Sequence, residues 1–256
     1  MKLLNDMYDI SCKPRCESYK KLSNNITLID NFFEDFEAAR NFFLSREKWG
    51  CLRCITYQNH SKPGYESFFP NWIGRSLMEK YVIDNKVSDD VSSYNAVCNH
   101  FFYDTRPIVS LSNSGCFPHY DSILDAFDAV QSICLVNLNH VPVSTKFYTF
   151  KGKEYITEET FREWEDHLEE LTQDLQKSHD MNNLSLEQFK QYLDNQKNPK
   201  VRLINTQVYK PNQAIVYNGN LFHSPNVTEE FTEENPRSVL KITFNKKLMR
   251  KKVTYA

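Results

Sequence analysis

No stretch of this 256-residue sequence approaches the roughly 20 consecutive apolar residues that a helix needs to cross a bilayer. The opening Met1-Lys2-Leu3-Leu4-Asn5-Asp6 turns polar too early for a secretory signal. No sign of charge is in excess either. Lys and Arg number 31 against 33 Asp and Glu, a net −2, which argues against a dominant polyanion-binding role and disfavours a long nucleic acid as partner. The seven cysteines are odd in number and lack framework spacing, as expected of reduced thiols in a cytoplasmic protein. Cys12/Cys16 and Cys51/Cys54 could together offer four thiolates to zinc. However, Cys51-Leu52-Arg53-Cys54 has no Gly or Pro to turn a knuckle, so buried or idle thiols are expected.

What is present suits one domain with a real core: 40% hydrophobic residues, 14% of all residues aromatic. After a short apolar strand, Ile26-Thr27-Leu28-Ile29, residues Asn31 and Glu34 suggest a capping box. Phe32, Phe33, Phe36, Ala39, Phe43 and Leu44 then recur at helical spacing to about Glu47. A loop with Pro63-Gly64 and Pro70 leads to a second expected helix over Trp72–Val82, so residues 26–90 read as a helical support. From about Ser92 the pattern alternates. Strands are expected over Ser93–Phe102, Ile108–Leu111, Phe117–Asp121, Ser132–Leu138, Lys146–Phe150, Val201–Tyr209, Ala214–Tyr217, Leu221–His223 and Ser238–Asn245. Asn218-Gly219 is a hairpin signal, and so many short strands suggest a sandwich or barrel.

Residues 153–200 interrupt the strands with a charged helical insert, a surface layer or a lid. Phe161, Trp164, Leu168, Leu171 and Leu175 form its apolar stripe, and Ser185 with Gln188 would cap a second helix. Residues 246–256 form a basic tail with Lys246, Lys247, Arg250, Lys251 and Lys252.

The chemistry concentrates at His119 and Asp121. In an extended segment, residues two apart project to the same face. An imidazole beside a carboxylate is two thirds of a facial iron(II) site, and His223, just after the Asn218-Gly219 turn, is the candidate third ligand. Ligands from strands so far apart can meet only if the sheet curls on itself. Arg237 opens the last apolar strand. A buried guanidinium needs an anion, and its planar fork suits a carboxylate, although an outward-snorkelling arginine is the plainer alternative. Lys241 shares the strand parity of Arg237 and is the fallback cation.

Phe117-Pro118-His119-Tyr120-Asp121-Ser122, Leu135-Val136-Asn137-Leu138-Asn139, Lys146-Phe147-Tyr148, Ala214-Ile215-Val216-Tyr217 with Leu221-Phe222-His223-Ser224, and Arg237 before a final strand occur in this order. The ordered set resembles the double-stranded β-helix core of the iron(II)/2-oxoglutarate-dependent dioxygenases, particularly the prolyl-hydroxylase-like branch. Ile29-Asp30-Asn31-Phe32-Phe33 and Pro63-Gly64 resemble small bacterial and phage members. The resemblance covers about residues 26–245, with the insert outside it. It implies a mainly β, α+β fold with a jelly-roll or cupin-like core over 92–245.

The resemblance further implies His119, Asp121 and His223 as iron ligands and catalytic centre, and Arg237 as the residue holding the distal carboxylate of 2-oxoglutarate. Oxygen would be the second cosubstrate and ascorbate the reductant. The implied activity couples decarboxylation of 2-oxoglutarate to succinate with hydroxylation of a protein or amino-acid side chain such as proline, or of a small molecule. Asp121 favours hydroxylation over halogenation. Two departures stand out. Val143-Ser144-Thr145-Lys146 replaces the frequent Gly-Gly-Thr, and Val239 stands where some members carry a serine. Tyr148 and Tyr103 are therefore the candidate hydroxyls to assist Arg237. A cupin-like metalloenzyme without 2-oxoglutarate, or a non-catalytic barrel binding module, are the alternative readings.

Overall fold

The computed structural model describes residues 12–45, 54–56, 64–85, 91–102, 118–121, 129–155 and 200–247, together with Thr160, Glu163, Trp164, Asp166, His167, Glu170 and Gln173. The elements are β1 (Ser18–Lys21), β2 (Ile26–Asp30), α1 (Phe36–Leu44), β3 (Cys54–Thr56), β4 (Gly64–Phe69), α2 (Asn71–Asp84), β5 (Val91–Phe101), β6 (Ala129–Asn137), β7 (Val143–Phe150), β8 (Val201–Tyr209), β9 (Ala214–Asn218), β10 (His223–Asn226) and β11 (Arg237–Lys247). Eight strands form one sheet in the order β1-β2-β9-β6-β11-β5-β4-β3, and β10-β7-β8 form a second. Every strand pairing is antiparallel. The architecture is a β-rich α+β fold, and no helix among the described residues is long and apolar enough to cross a membrane.

The large sheet sorts its residues by parity. One face carries Ala96 and Cys98 from β5, Cys134 and Val136 from β6, Ala214 and Val216 from β9, and Leu240, Ile242 and Phe244 from β11. These pack with Phe42 and Phe43 of α1 and with Ile73, Leu77, Met78 and Tyr81 of α2. Gly74 lets α2 lie close to the sheet: a Cβ there would stand 3.3 Å from Ile242 Cγ2 and 3.4 Å from Ala96 Cβ. The opposite face carries Phe101, Ile133, Leu135, Ile215, Tyr217 and Val239, which pack against Val143, Phe147 and Tyr209 of the small sheet. Two apolar layers thus flank one sheet, as a two-sided burial demands. The layer between the sheets is the one that receives polar side chains.

Several expectations shift. Helix α1 starts at Phe36, capped by Asp35, whose side chain accepts from Ala38 N, and the Asn31/Glu34 box does not form. The reason is a competing set of bonds. Phe32 N donates to Asn212 O, Phe33 N to Asn212 Oδ1, and Asn212 Nδ2 to Phe33 O, while Asn31 has a positive φ of 44°. Residues 64–69 form β4 where the prolines suggested only a loop, with Ser67 and Phe69 alternately buried. The short strands β1 and β3 had no sequence expectation. Cys12 and Cys16 lie buried as free thiols, and burial pushes them up to about 12 and about 11. Cys51, Ile108–Leu111, the Ser185/Gln188 cap and Arg250 onward lie outside the described residues.

The insert is helical at its described positions, and its buried Trp164 sits against Phe150 of β7 and against Phe222, just before β10, at ring-centroid distances of 5.1 and 4.8 Å.

Candidate metal centre

His223 opens β10 just after the Asn218-Gly219 turn, which does not close the expected hairpin but carries the chain from β9 in the large sheet to β10 in the small one, where the His223 backbone pairs with Phe147 of β7. His119 is not part of a continuous strand. It forms a single antiparallel bridge with His223, each N–H donating to the other's carbonyl at 2.9 Å. Asp121 N then donates to Gly219 O, also at 2.9 Å. The Asn218-Gly219 turn and the residues after it therefore anchor both ends of the His119–Asp121 segment, which explains how two residues so far from His223 in sequence reach it. One ligand atom from each of His119, Asp121 and His223 lies within 4.8 Å of the others, a group able to hold a metal ion.

The donor chemistry follows from the hydrogen bonds. His223 Nδ1 stands 2.9 Å from Leu221 O, a carbonyl that can only accept, so the ring proton belongs on Nδ1 and Nε2 is turned to the centre. That Nε2 is 3.2 Å from Asp121 Oδ2, and His119 Nε2 is 4.0 Å from Asp121 Oδ1. Asp121 Oδ1 also meets Lys241 Nζ at 2.7 Å. Burial works against ionisation of Asp121, but the Lys241 ammonium, then His223 and His119, hold its carboxyl well below the usual range. It is held as an anion, the form in which a carboxylate can serve as a metal ligand. Tyr217 and Phe147 wall the His223 imidazole, with the Tyr217 ring edge-on at 4.9 Å.

Arg237 lies deep between the sheets, 2% exposed. Its Nη2 donates to Tyr209 Oη at 3.0 Å and to Ser144 O at 3.1 Å, both neutral. Among the described residues no partner reaches its buried Nε, and the buried Tyr217 Oη has none either. Burial first, then the negative charge of Asp121, pushes the Tyr217 hydroxyl well above its ordinary range, so it remains a donor. An always-charged guanidinium with an open donor, and a neutral hydroxyl without an acceptor, is a cradle short of an anion.

One of the two expected assisting hydroxyls lies elsewhere. Tyr148 does not reach Arg237: its hydroxyl meets Ser224 Oγ at 3.2 Å, because strand parity sends it, with Lys146, to the face of β7 opposite Thr145 and Phe147. The hydroxyl beside Arg237 belongs to Tyr209, itself 3.4 Å from Thr145 Oγ1. Tyr103 lies outside the described residues. Lys241, held as a substitute for Arg237, instead pairs with Asp121. Tyr209 and Tyr217 were both missed in the sequence. Each is a tyrosine at the end of an apolar or alternating strand, where a buried hydroxyl demands a partner, and that demand was the available signal.

The model of the Family of unknown function (DUF6445) matches residues 11–245. The chain belongs to this family. No curated protein matches the sequence. Among solved structures, HygX from Streptomyces hygroscopicus with nickel and 2-oxoglutarate bound is similar at 11% identity and a TM-score of 0.36, over 96% of this chain and 86% of that one. HygX with nickel, 2-oxoglutarate and hygromycin B bound is similar at 12% identity and a TM-score of 0.38, over 95% and 85%. Scores of that size decide nothing about this chain, whose chemistry rests on its own residues. In this DUF6445 chain the three candidate ligands, Lys241, Arg237 and both tyrosines all fall inside the matched span.

Proposed function

We propose that the chain is an iron(II)- and 2-oxoglutarate-dependent oxygenase that hydroxylates a C–H bond of a peptidyl or small-molecule substrate. The observation that carries the reading is the buried, under-partnered Arg237 in the same inter-sheet layer as the His119/Asp121/His223 group. Two neutral imidazoles and one carboxylate are the donor set of non-haem iron(II), and three donors leave positions for a chelating cosubstrate. Iron, when bound, would supply oxygen activation coupled to decarboxylation of 2-oxoglutarate to succinate.

The chain's own residues do the rest. Arg237 would take the distal carboxylate of 2-oxoglutarate through its unpartnered Nε, and Tyr217 and Tyr209 would donate to the same anion. Leu221 O fixes the His223 tautomer, and the ring of Tyr217 helps to keep water from the buried His223 imidazole. The two sheets enclosing a shared apolar layer support a double-stranded β-helix over 92–245, with 26–90 as support and 153–200 as insert and candidate lid. The prolyl-hydroxylase-like branch rests on the sequence resemblance alone. A cupin-like metal site without 2-oxoglutarate leaves the Arg237 cradle without a purpose.

The deciding experiment is anaerobic titration of 2-oxoglutarate into the iron(II) protein. A visible metal-to-ligand charge-transfer band, absent in Arg237→Met, is expected, followed in air by succinate release that His223→Ala abolishes. An iron-loaded protein that shows no band and releases no succinate would overturn the reading.

A further inference from the structure

Lys241 enters the inter-sheet layer from the middle of a strand, not from a loop. Its backbone is fixed on both sides, opposite Val97 of β5 and Leu135 of β6, four residues after Arg237 and on the same face. Its Nζ meets one oxygen of Asp121, Oδ1, at 2.7 Å, while the other, Oδ2, faces His223 Nε2 at 3.2 Å. The carboxylate is thereby divided, one oxygen to the ammonium and one to the imidazole. A carboxylate with both oxygens open can chelate a cation, taking two positions in place of one.

We propose that Lys241 is a positioning residue for the metal centre: by holding Asp121 Oδ1 it restricts the carboxylate to a single-oxygen ligand and keeps a coordination position open. This rests on the reading of His119, Asp121 and His223 as a metal site. The cost of the arrangement is electrostatic, since an ammonium beside a dication weakens metal binding. The residue thus trades affinity for an open position, a balance that a purely structural ion pair would not show. Loss of a structural pair would disorder Asp121 and loosen the metal.

The test uses manganese(II), read by calorimetry for affinity and by water-proton relaxation for exchangeable water on the bound ion. The full chain and its Lys241→Met form are compared, with Lys241→Ala as a second variant should the first fold poorly. Lys241 is a quarter exposed, so replacement leaves no deep cavity. Removing one positive charge beside the dication should tighten manganese binding about tenfold. The same variants should lose one exchangeable water from the bound ion. Variants that bind manganese more weakly, or with the water complement of the unaltered protein, would overturn the proposal while leaving the metal site standing. An unaltered protein that does not bind manganese would overturn the metal site itself and the proposal with it.

Discussion

The ring of Trp164 meets the ring of Phe222 edge-on at 4.8 Å, and Phe222 is the residue immediately before His223. Phe222 also lies edge-on to Tyr120, between His119 and Asp121, at 6.4 Å. One aromatic side chain of the insert therefore braces the peptide that carries one ligand and, through Phe222, the segment that carries the other two. Trp164 is 2% exposed. Trp164→Ala should cost about 3–5 kcal/mol of unfolding free energy in urea. It should also weaken metal binding, since the support behind His223 is gone. A loss under about 0.5 kcal/mol, the size of an ordinary surface change, would mean that the insert is not seated there.

His119 and His223 should separate affinity from stability. Both are candidate ligands, yet the His119 side chain is 36% exposed and that of His223 only 4%. His223→Ala removes a buried ring and its bond to Leu221 O, and should cost roughly 1–3 kcal/mol in stability. His119→Ala should leave the metal-free protein within about 0.5 kcal/mol of the unaltered one. Both should lose metal binding, measured by calorimetry with nickel or manganese. Retained affinity in either variant removes that residue from the ligand set.

Replacement of Arg237 by Met should not destabilise the ligand-free protein. A buried guanidinium with neutral partners is poorly compensated, and an apolar side chain of similar length is often neutral or stabilising by about 1–4 kcal/mol. The unaltered protein should gain thermal stability on adding 2-oxoglutarate with a divalent metal, and the variant should not. A variant that melts far below the parent would show that Arg237 is structural.

Asp121 predicts a pH signature. Its carboxyl is held below its unfolded value near 3.9, so its contribution to stability is present above about pH 4 and is lost as pH falls through the lower folded value. Asp121→Asn should therefore be less stable than the unaltered protein at pH 7, and the gap should narrow in acid. Denaturant midpoints of both proteins at pH 7 and pH 3 provide the check. A gap that is the same at both pH values would contradict the ion pairing with Lys241.

How far the sequence could be read depended on whether its pattern carried a direction. In β11 the alternation of Val239 and Lys241 with Leu240, Ile242 and Phe244 told which residues share a face, and the structure keeps that sorting. In β7 both faces are buried, at Val143, Ser144 and Thr145 and again at Phe147 and Tyr148. A strand covered on both sides offers no period to follow, so the sequence could not tell which face Tyr148 takes. The start of α1 was misjudged for another reason: the bonds that tie Phe33 to Asn212 come from 179 residues away. Local capping rules do not see such a partner. The clustering of His119, Asp121 and His223 was legible because residue type, the Asn218-Gly219 turn and the order of the family-like segments pointed the same way. The Tyr209 bond to Arg237 and the Lys241 bond to Asp121 needed the relative placement of strands that no local window encodes.

Strand β11 has a consequence for how the family can diverge. Arg237, Val239 and Lys241 point toward the chemistry, and Leu240, Ile242 and Phe244 point toward the helices. On the proposed function, neighbouring codons answer to different demands, one set to ligand recognition and the other to folding, so that a new cosubstrate or metal preference can be explored at every second position while the intervening residues keep the chain folded.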